Sequence, residues 1–163
     1  MADWFTVNVR DAQWGTHDTF GAACRFEDPE APFPEFGINV RVLQPGQPNC
    51  LYHSESAQED FLVLAGECLL LVDGEERPLR AWDFVHCPAG TEHVFVGAGE
   101  GSCAILMAGA RQPDEKLLYP VSELAQRYGA SAEVETASPE EAYAAFSGRQ
   151  AGRPVGWEKL PWA

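Results

Sequence analysis

Two short stretches in the middle of the chain carry residue types that bind metal ions. The first, YHSESAQED, contains His53, Glu55 and Glu59, and the second, CPAGTEHVFV, contains His93. Imidazole nitrogens combined with carboxylate oxygens suit zinc, iron, manganese, nickel or copper, whereas calcium prefers oxygen ligands alone. The sequence therefore predicts a site for one divalent transition metal, with His53, Glu55, Glu59 and His93 as candidate ligands.

These four side chains can meet only if separate strands bring them together. Side chains alternate between the two faces of a strand, so His53 and Glu55 share a face. Glu59 begins the next apolar run, and His93 begins a later one. If those strands lie side by side, the donors converge. The nearest nitrogens of His53 and His93 must then lie within about 6 Å of each other, since each bond to a shared ion is about 2 Å long.

Residues 36–110 can supply such strands. Short runs rich in Val, Leu, Ile and Phe follow one another between Pro and Gly turns, and Asp73-Gly74 suits a tight hairpin turn. Helical periodicity is absent, so we expect an all-β sandwich or small barrel. The predicted strands are FGINVRVL, CLYH, DFLVLAG, CLLLV, RPLR, DFVHC, HVFV and CAILMAG.

The two ends of the chain are predicted to pack on this core and form one domain with it. Residues 1–35 contain aromatic residues and a Pro-rich stretch, which predict an arm with an extra strand or two. Residues 111–163 predict a helical appendage, with short helices over 120–129 and from Ser138 to about Phe146. The last apolar residues should pack against the barrel or a partner subunit; they are Trp157, Leu160 and Trp162.

The composition limits the expected partners and location. The 163 residues include 11 Lys and Arg against 25 Asp and Glu, a formal net charge of -14. Such a charge repels phosphate backbones, so no nucleic-acid partner is expected. The sequence has no secretory signal and no apolar run of about 20 residues, which predicts a cytoplasmic protein without a membrane partner. The five cysteines form no C-x-x-C pair, and we expect reduced, mostly buried thiols.

The spacing of the candidate ligands resembles two motifs of the cupin family. The first cupin motif, G-(x)5-H-x-H-(x)3,4-E-(x)6-G, is similar to GQPNCLYHSESAQEDFLVLAG, from Gly46 to Gly66. The second, G-(x)5-P-x-G-(x)2-H-(x)3-N, is similar to WDFVHCPAGTEHVFVG, where Trp82 and Gly97 replace a glycine and an asparagine. The resemblance covers the middle of the chain. It implies a double-stranded β-helix, the cupin jelly roll, here with short C-terminal helices.

The resemblance also implies a ligand set. Cupins bind one metal through the two histidines and the glutamate of the first motif and the histidine of the second. His53, Glu59 and His93 match three of these positions, and Glu55 stands where the second histidine is expected. Three outcomes stay open at this point. Glu55 is a fourth ligand, or it turns away and leaves a three-ligand site with open positions, or the barrel holds no metal.

The predicted interior and the resemblance together lead to functional hypotheses. Alternation places Phe61, Val63 and Phe95 beside the metal, so we expect a mainly apolar cavity for a small organic ligand. One hypothesis is a metal-dependent enzyme, either a dioxygenase (an oxidoreductase) or a lyase or isomerase. A glutamate that is not tightly coordinated, Glu55 or Glu59, would move a proton, and Glu55 is the predicted catalytic residue. The alternative is a non-catalytic module that binds or senses a small molecule. Cupins resembling this chain are commonly dimers, which implies a homodimer.

Overall fold

Strands dominate the structure, a computed structural model that describes residues 4–163. Residues 1–3, which belong to the predicted N-terminal arm, lie outside the described residues. The predicted all-β class is confirmed. Within the described part of the chain, no helix has the length and apolar character needed to cross a bilayer. The strands are β1 (Gln13–His17), β2 (Gly21–Arg25), β3 (Phe36–Leu43), β4 (Ser54–Glu55), β5 (Glu59–Ala65), β6 (Glu67–Val72), β7 (Glu75–Arg80), β8 (Phe84–Cys87), β9 (His93–Ala98), β10 (Cys103–Ala110), β11 (Leu117–Leu118) and β12 (Gln150–Ala151); the helices are α1 (Glu123–Gln126) and α2 (Pro139–Ala142), with 3-10 turns at Val9–Asp11 and Trp157–Lys159.

Antiparallel pairing organises these strands into a double-stranded β-helix. The larger sheet has the order β12-β1-β2-β3-β10-β5-β8, the smaller has β7-β6-β9, and β11 pairs with β4. Apolar side chains from both larger sheets pack together in the interior, which excludes water from most of the barrel. This core consists of Leu43, Phe61, Val63, Cys68, Leu70, Cys87, Phe95, Cys103, Ile105 and Met107.

Strand β3 shows how side-chain alternation shapes the barrel. Val40 packs on the outer face, in a cluster with Trp157, whereas Leu43 belongs to the interior core. Asn39 and Arg41 share the face of Leu43 because side chains two apart on a strand point the same way. Both residues line a cavity in the barrel. A strand that is apolar on its outer face therefore brings two polar side chains inside.

The C-terminal aromatic residues pack on the chain's own barrel. Trp157 meets Trp14 of β1 edge to face, with ring centroids 5.6 Å apart. Trp162 stacks on Trp14 at the same centroid distance of 5.6 Å. Leu160 is buried in the same cluster. Of the two predicted positions for this segment, the barrel and a partner subunit, the structure shows the barrel.

The segment CLYH, predicted as a strand, does not form one. Only its last residue, His53, pairs like a strand residue, in an isolated bridge with His93. The N–H of Tyr52 instead donates to the carbonyl oxygen of Ala130 at 2.6 Å. The prediction is wrong because the hydrogen-bond partner comes from the C-terminal segment, far along the chain, where no local pattern could reveal it.

The two predicted helices form, but they are short. Helix α1 occupies Glu123–Gln126 of the predicted 120–129, and α2 occupies Pro139–Ala142 of the predicted 138–146. The predicted start at Ser138 is confirmed, since its hydroxyl accepts a backbone N–H of the first turn. A single helical turn is not stable alone, so packing against the barrel must hold both helices.

Several turns of the barrel contain residues with a positive φ angle. Asp73 and Gly74 have φ values of 45° and 80°, as the predicted hairpin turn between β6 and β7 requires. Gly66 and Gly90 have φ values of 74° and 85°. Trp82, which stands where the motif has a glycine, also has a positive φ of 77°. The turn therefore keeps a glycine-like backbone although this sequence has tryptophan there.

Gly97, the residue in place of the motif's asparagine, is needed for close packing. Its N–H donates to the carbonyl oxygen of Gln47 at 2.9 Å, and its own carbonyl accepts from Gly46 at 2.8 Å. A Cβ at Gly97 would overlap the carbonyl oxygen of Gln44. The backbones of β9 and of the loop after β3 can approach this closely only because Gly97 has no side chain.

We expect Gly97→Ala to destabilise the fold by about 3 kcal/mol, because neither backbone can move away without breaking these hydrogen bonds. This corresponds to a fall in melting temperature of about 6 to 12 °C for a chain of this size. Gly101→Ala is the control, since a Cβ there meets no atom within 4 Å. Thermal unfolding measures both variants. Equal melting temperatures would contradict the close approach at Gly97.

Candidate metal centre

Two backbone hydrogen bonds fix the relative position of the candidate histidines. The N–H of His93 donates to the carbonyl oxygen of His53 at 2.8 Å, and the N–H of His53 donates to that of His93 at 3.2 Å. Residues that exchange both bonds in an antiparallel pair project their side chains to the same face. The two imidazole rings accordingly lie with their centroids 5.2 Å apart, and both are buried.

Each imidazole ring is oriented by its Nδ1 atom. Nδ1 of His53 lies 2.9 Å from the carbonyl oxygen of Leu51, and Nδ1 of His93 lies 3.0 Å from that of Thr91. A carbonyl oxygen can only accept, so both Nδ1 atoms carry a proton and a neutral ring has its lone pair at Nε2. Metal-binding histidines show this same arrangement, in which the second ring nitrogen donates to a backbone carbonyl or a carboxylate.

Glu59 joins the two histidines in a compact cluster. Its Oε2 lies 3.2 Å from Nε2 of His93. His53, Glu59 and His93 each offer one ligand atom, and these three atoms all lie within 4.8 Å of one another. Bonds of about 2 Å to a single ion can span such distances. The expected limit on the separation of the histidines is therefore met, and the donor set fits a first-row divalent metal.

Glu55 lies beside this cluster. Its Oε1 is 3.3 Å from Nε2 of His53, in agreement with the shared face expected for these two residues. Glu115 lines the same cavity, and its carboxyl group interacts electrostatically with that of Glu55. Glu55 does not belong to the group of three whose ligand atoms all lie within 4.8 Å of one another. Its roles as a fourth ligand and as the catalytic residue stay predictions.

Burial and neighbouring charges shift the pKa values of these groups. Burial and the charge of Glu55 raise the pKa of Glu59 to about 7. Burial and the nearby His53 lower the pKa of His93 to about 4, so this ring is neutral at pH 7. Burial alone would raise the pKa of Glu55, but interactions with His53 and Glu115 outweigh it and lower this pKa. Burial and the neighbouring Glu55 raise the pKa of Glu115 to about 7.

The cluster opens into a cavity of about 350 Å³ whose walls are polar and apolar in about equal parts. The prediction of a mainly apolar cavity is therefore wrong. Of the three predicted lining residues only Phe61 reaches the cavity, while Val63 and Phe95 are buried in the interior core. Beyond the cluster and Glu55, the side chains that line the cavity are Asn39, Arg41, Asn49, Cys50, Phe61, Met107, Arg111, Glu115, Leu117, Tyr119 and Tyr143.

The sequence pattern did not reveal several of these residues. Arg41 could have been found, because it is a charged residue on the inward face of the strand FGINVRVL. No local pattern marks Glu115, Tyr119 or Tyr143. They reach the cavity through the pairing of β11 with β4 and the packing of the C-terminal segment. Tyr119 stacks on His53, with ring centroids 5.6 Å apart.

Solved structures with similar folds include several described as enzymes. A putative sugar phosphate isomerase from Acidithiobacillus ferrooxidans is 26% identical, with a TM-score of 0.50 over 53% of this chain and 56% of that chain. A sugar phosphate isomerase of the cupin superfamily from Silicibacter pomeroyi is 24% identical, with a TM-score of 0.60 over 69% of this chain and 79% of that one. A predicted oxalate decarboxylase from Thermotoga maritima is 17% identical, with a TM-score of 0.57 over 66% of this chain and 100% of that one. The chain thus spans little more than half the length of the first, and the other two show a common fold alone.

The middle of the chain matches a known protein family. A family model described as the cupin domain matches residues 39–109, which include all four candidate ligands. No curated protein sequence matches the chain significantly. This match shows a cupin domain over residues 39–109, in agreement with the double-stranded β-helix that the strands form.

We expect His53→Ala and His93→Ala each to weaken the binding of Zn²⁺ or Co²⁺ by about 100-fold or more, because each removes a nitrogen donor from a buried cluster. Loss of an outer partner of a ligand alone costs about 10- to 100-fold. His86→Ala is the matched control, since its Nδ1 contacts Oδ1 of Asp60 at 2.7 Å and its side chain is 48% exposed. Titration calorimetry on metal-free protein measures the affinities. Wild-type affinity in His93→Ala would rule out the site.

Proposed function

We propose that His53, Glu59 and His93 hold one divalent transition metal, which is zinc, iron, manganese, nickel or copper. The support is the convergence of their three ligand atoms within 4.8 Å, with each Nδ1 already bonded to a backbone carbonyl. When bound, such an ion acts as a Lewis acid that polarises a substrate oxygen. Three protein donors are also the number found in catalytic zinc sites, which keep one position for water or substrate.

We infer that the chain is an enzyme acting on a small organic molecule, with lyase or isomerase chemistry. The observation that carries this inference is the pair of carboxyl groups of Glu55 and Glu115, both of which line the cavity. Burial and the neighbouring Glu55 raise the pKa of Glu115 to about 7, so Glu115 can hold a proton near neutral pH, whereas the pKa of Glu55 is lowered and its carboxylate can accept one. A proton donor and a proton acceptor therefore lie side by side next to the metal ligand His53. Lyases and isomerases need this kind of proton transfer, whereas binding of dioxygen by itself does not.

The residues of the cavity have different roles in the proposed reaction. Glu55 takes a proton from the substrate and returns it, because its carboxylate faces the cavity and contacts Nε2 of His53 at 3.3 Å. Glu115 lines the cavity together with that carboxylate and helps to set its pKa. Tyr119 stacks on His53 and limits the movement of its ring. The depth of the site, where the side chain of His93 is only 3% exposed, restricts access of water to the polarised oxygen.

The comparisons support this class of chemistry without naming the substrate of this chain. The 26% identical structure is described as a putative sugar phosphate isomerase, and this chain spans 56% of it. Isomerisation of a sugar phosphate is therefore one candidate reaction within the proposal, and it belongs in any substrate panel. The predicted cytoplasmic location and homodimer are independent of this chemistry and stay predictions.

We expect Glu55→Gln to lower turnover by about 100-fold or more, because the amide keeps the shape of the side chain but cannot accept a proton. Metal content should stay at the wild-type level. Glu100→Gln, at an exposed position in the loop between β9 and β10, is the control. The measurements are metal analysis and turnover on a panel of sugar phosphates, keto acids and dicarboxylates.

The outcome for Glu55→Gln also separates the competing roles of this residue. Metal loss as large as that in His93→Ala would make Glu55 a fourth ligand, as the sequence comparison allows. Unchanged metal content with unchanged turnover would remove Glu55 from the mechanism. If metal-loaded wild-type protein binds members of the panel but converts none, the non-catalytic binding module replaces the enzyme as the function.

A further inference from the structure

Arg41 is a charged residue held inside the barrel. It lies on the inner face of β3, opposite Ile105 of the core in the pairing of β3 with β10. It lines the cavity of the candidate metal centre and two neighbouring cavities of about 380 and 230 Å³. Its side chain therefore borders space that a ligand can fill.

The guanidinium group of Arg41 has little within the protein to balance its charge. Its Nη1 atom is buried and has no hydrogen-bond partner, and its Nε donates to the side-chain oxygen of Asn39 at 3.2 Å. Among residues 4–163, the arginines that form salt bridges are Arg77 and Arg111, and Arg41 is not one of them. A buried charge without a partner costs free energy unless a ligand supplies the opposite charge.

Other arginines around one of the neighbouring cavities add to this positive charge. Arg25, Arg41, Arg111 and Arg149 all line one of the neighbouring cavities, where the only carboxylate, that of Glu27, is paired with Arg111 at 2.6 Å. Arg149 donates to the backbone carbonyl oxygens of Gly21 and Phe20 at 2.8 and 3.3 Å. Burial and the charges of Arg41 and Arg25 lower the pKa of Arg149 to about 10. A protein with a net charge of -14 thus concentrates positive charge at this one place.

We propose that Arg41 binds an oxyanion, a carboxylate or a phosphate group, on the small molecule that enters the cavity of the metal centre. The guanidinium group is planar and offers paired N–H donors that match both kinds of oxyanion. Arg149 and Arg25 add to the local positive field. This assignment rests on the proposed function only in placing the anionic ligand next to the metal; the anion site itself is built from Arg41 and its surroundings.

The test uses metal-free full-length protein, so that it does not depend on the metal site. Inorganic phosphate and malonate are titrated separately by calorimetry into wild type, Arg41→Met and Arg77→Met. Arg77 is the matched control, because it is 63% exposed and pairs with Glu75 on the surface. We expect wild type and Arg77→Met to bind at least one of the two anions saturably. Binding to Arg41→Met should be weaker by about 10-fold or more, the usual effect of losing a hydrogen bond to a charged group.

Two readouts separate anion binding from a purely structural role. In anion-free buffer Arg41→Met should melt at or above the wild-type temperature, because it removes an uncompensated buried charge. Phosphate or malonate should raise the melting temperature of wild type and not that of the variant. If Arg41→Met does not fold, Arg41→Lys replaces it in the titrations. Anion binding is then expected to weaken by about threefold or more, because an ammonium group lacks the planar, paired N–H donors of a guanidinium group.

Each outcome of the titrations either supports or overturns the proposal. Binding of phosphate alone assigns a phosphate group to the ligand, binding of malonate alone assigns a carboxylate, and either result supports the proposal. It is overturned if wild type binds neither anion, or if Arg41→Met or a folded Arg41→Lys binds as well as wild type. The result of this test does not depend on whether the histidine variants lose metal binding. Failure of the proposed metal centre and failure of the anion site are therefore distinguishable.

Discussion

The candidate site depends on the pair of backbone hydrogen bonds between His53 and His93. These two bonds join the segment before β4 to the first residue of β9, and they put both imidazoles on one face of the barrel. Each Nδ1 is then occupied by a carbonyl two residues earlier in the chain, Leu51 for His53 and Thr91 for His93. With the backbones and the Nδ1 atoms both fixed, Nε2 of His93 lies 3.2 Å from the carboxyl group of Glu59 and Nε2 of His53 lies 3.3 Å from that of Glu55.

The C-terminal segment supports this bridge from the other side. The residues just before His53 do not form a strand, and their N–H groups need partners. Leu51 donates to the hydroxyl of Tyr143, and Tyr52 donates to the carbonyl of Ala130. The phenol ring of Tyr52 is itself almost fully buried, in a cluster with Ala125 and Ala130. The C-terminal segment therefore does more than cover the barrel, because Ala130 and Tyr143, which follow its two short helices, hold the segment that carries one of the two histidines.

The chemistry of the site was easier to predict from the sequence than its surroundings. His53, Glu55, Glu59 and His93 are found by residue type and spacing, and the strands around them follow from local hydrophobic patterns. The single bridge at His53 and the roles of Tyr143 and Ala130 could not be predicted, because they depend on contacts between residues far apart in the chain. The polar side chains of the cavity were missed for another reason. Their signal was present in the alternation along β3, but an inward Arg41 contradicts the usual expectation that charged residues face water.

The net charge of -14 does not conflict with an anionic ligand. At physiological ionic strength the field of exposed carboxylates is largely screened beyond about 8 Å, whereas a buried guanidinium is screened much less. A ligand inside the cavity therefore experiences mainly the groups that touch it. The charged groups are of two kinds, the carboxylates near His53 and the guanidinium groups of Arg41 and Arg111, of which Arg111 is already paired with Glu27. A molecule that contacts both kinds of group needs two features. One is a group that can exchange a proton or bind a metal, and the other is a separate negatively charged group. The surrounding acidity then opposes non-specific binding of anions elsewhere on the surface, so that selectivity is decided within the barrel.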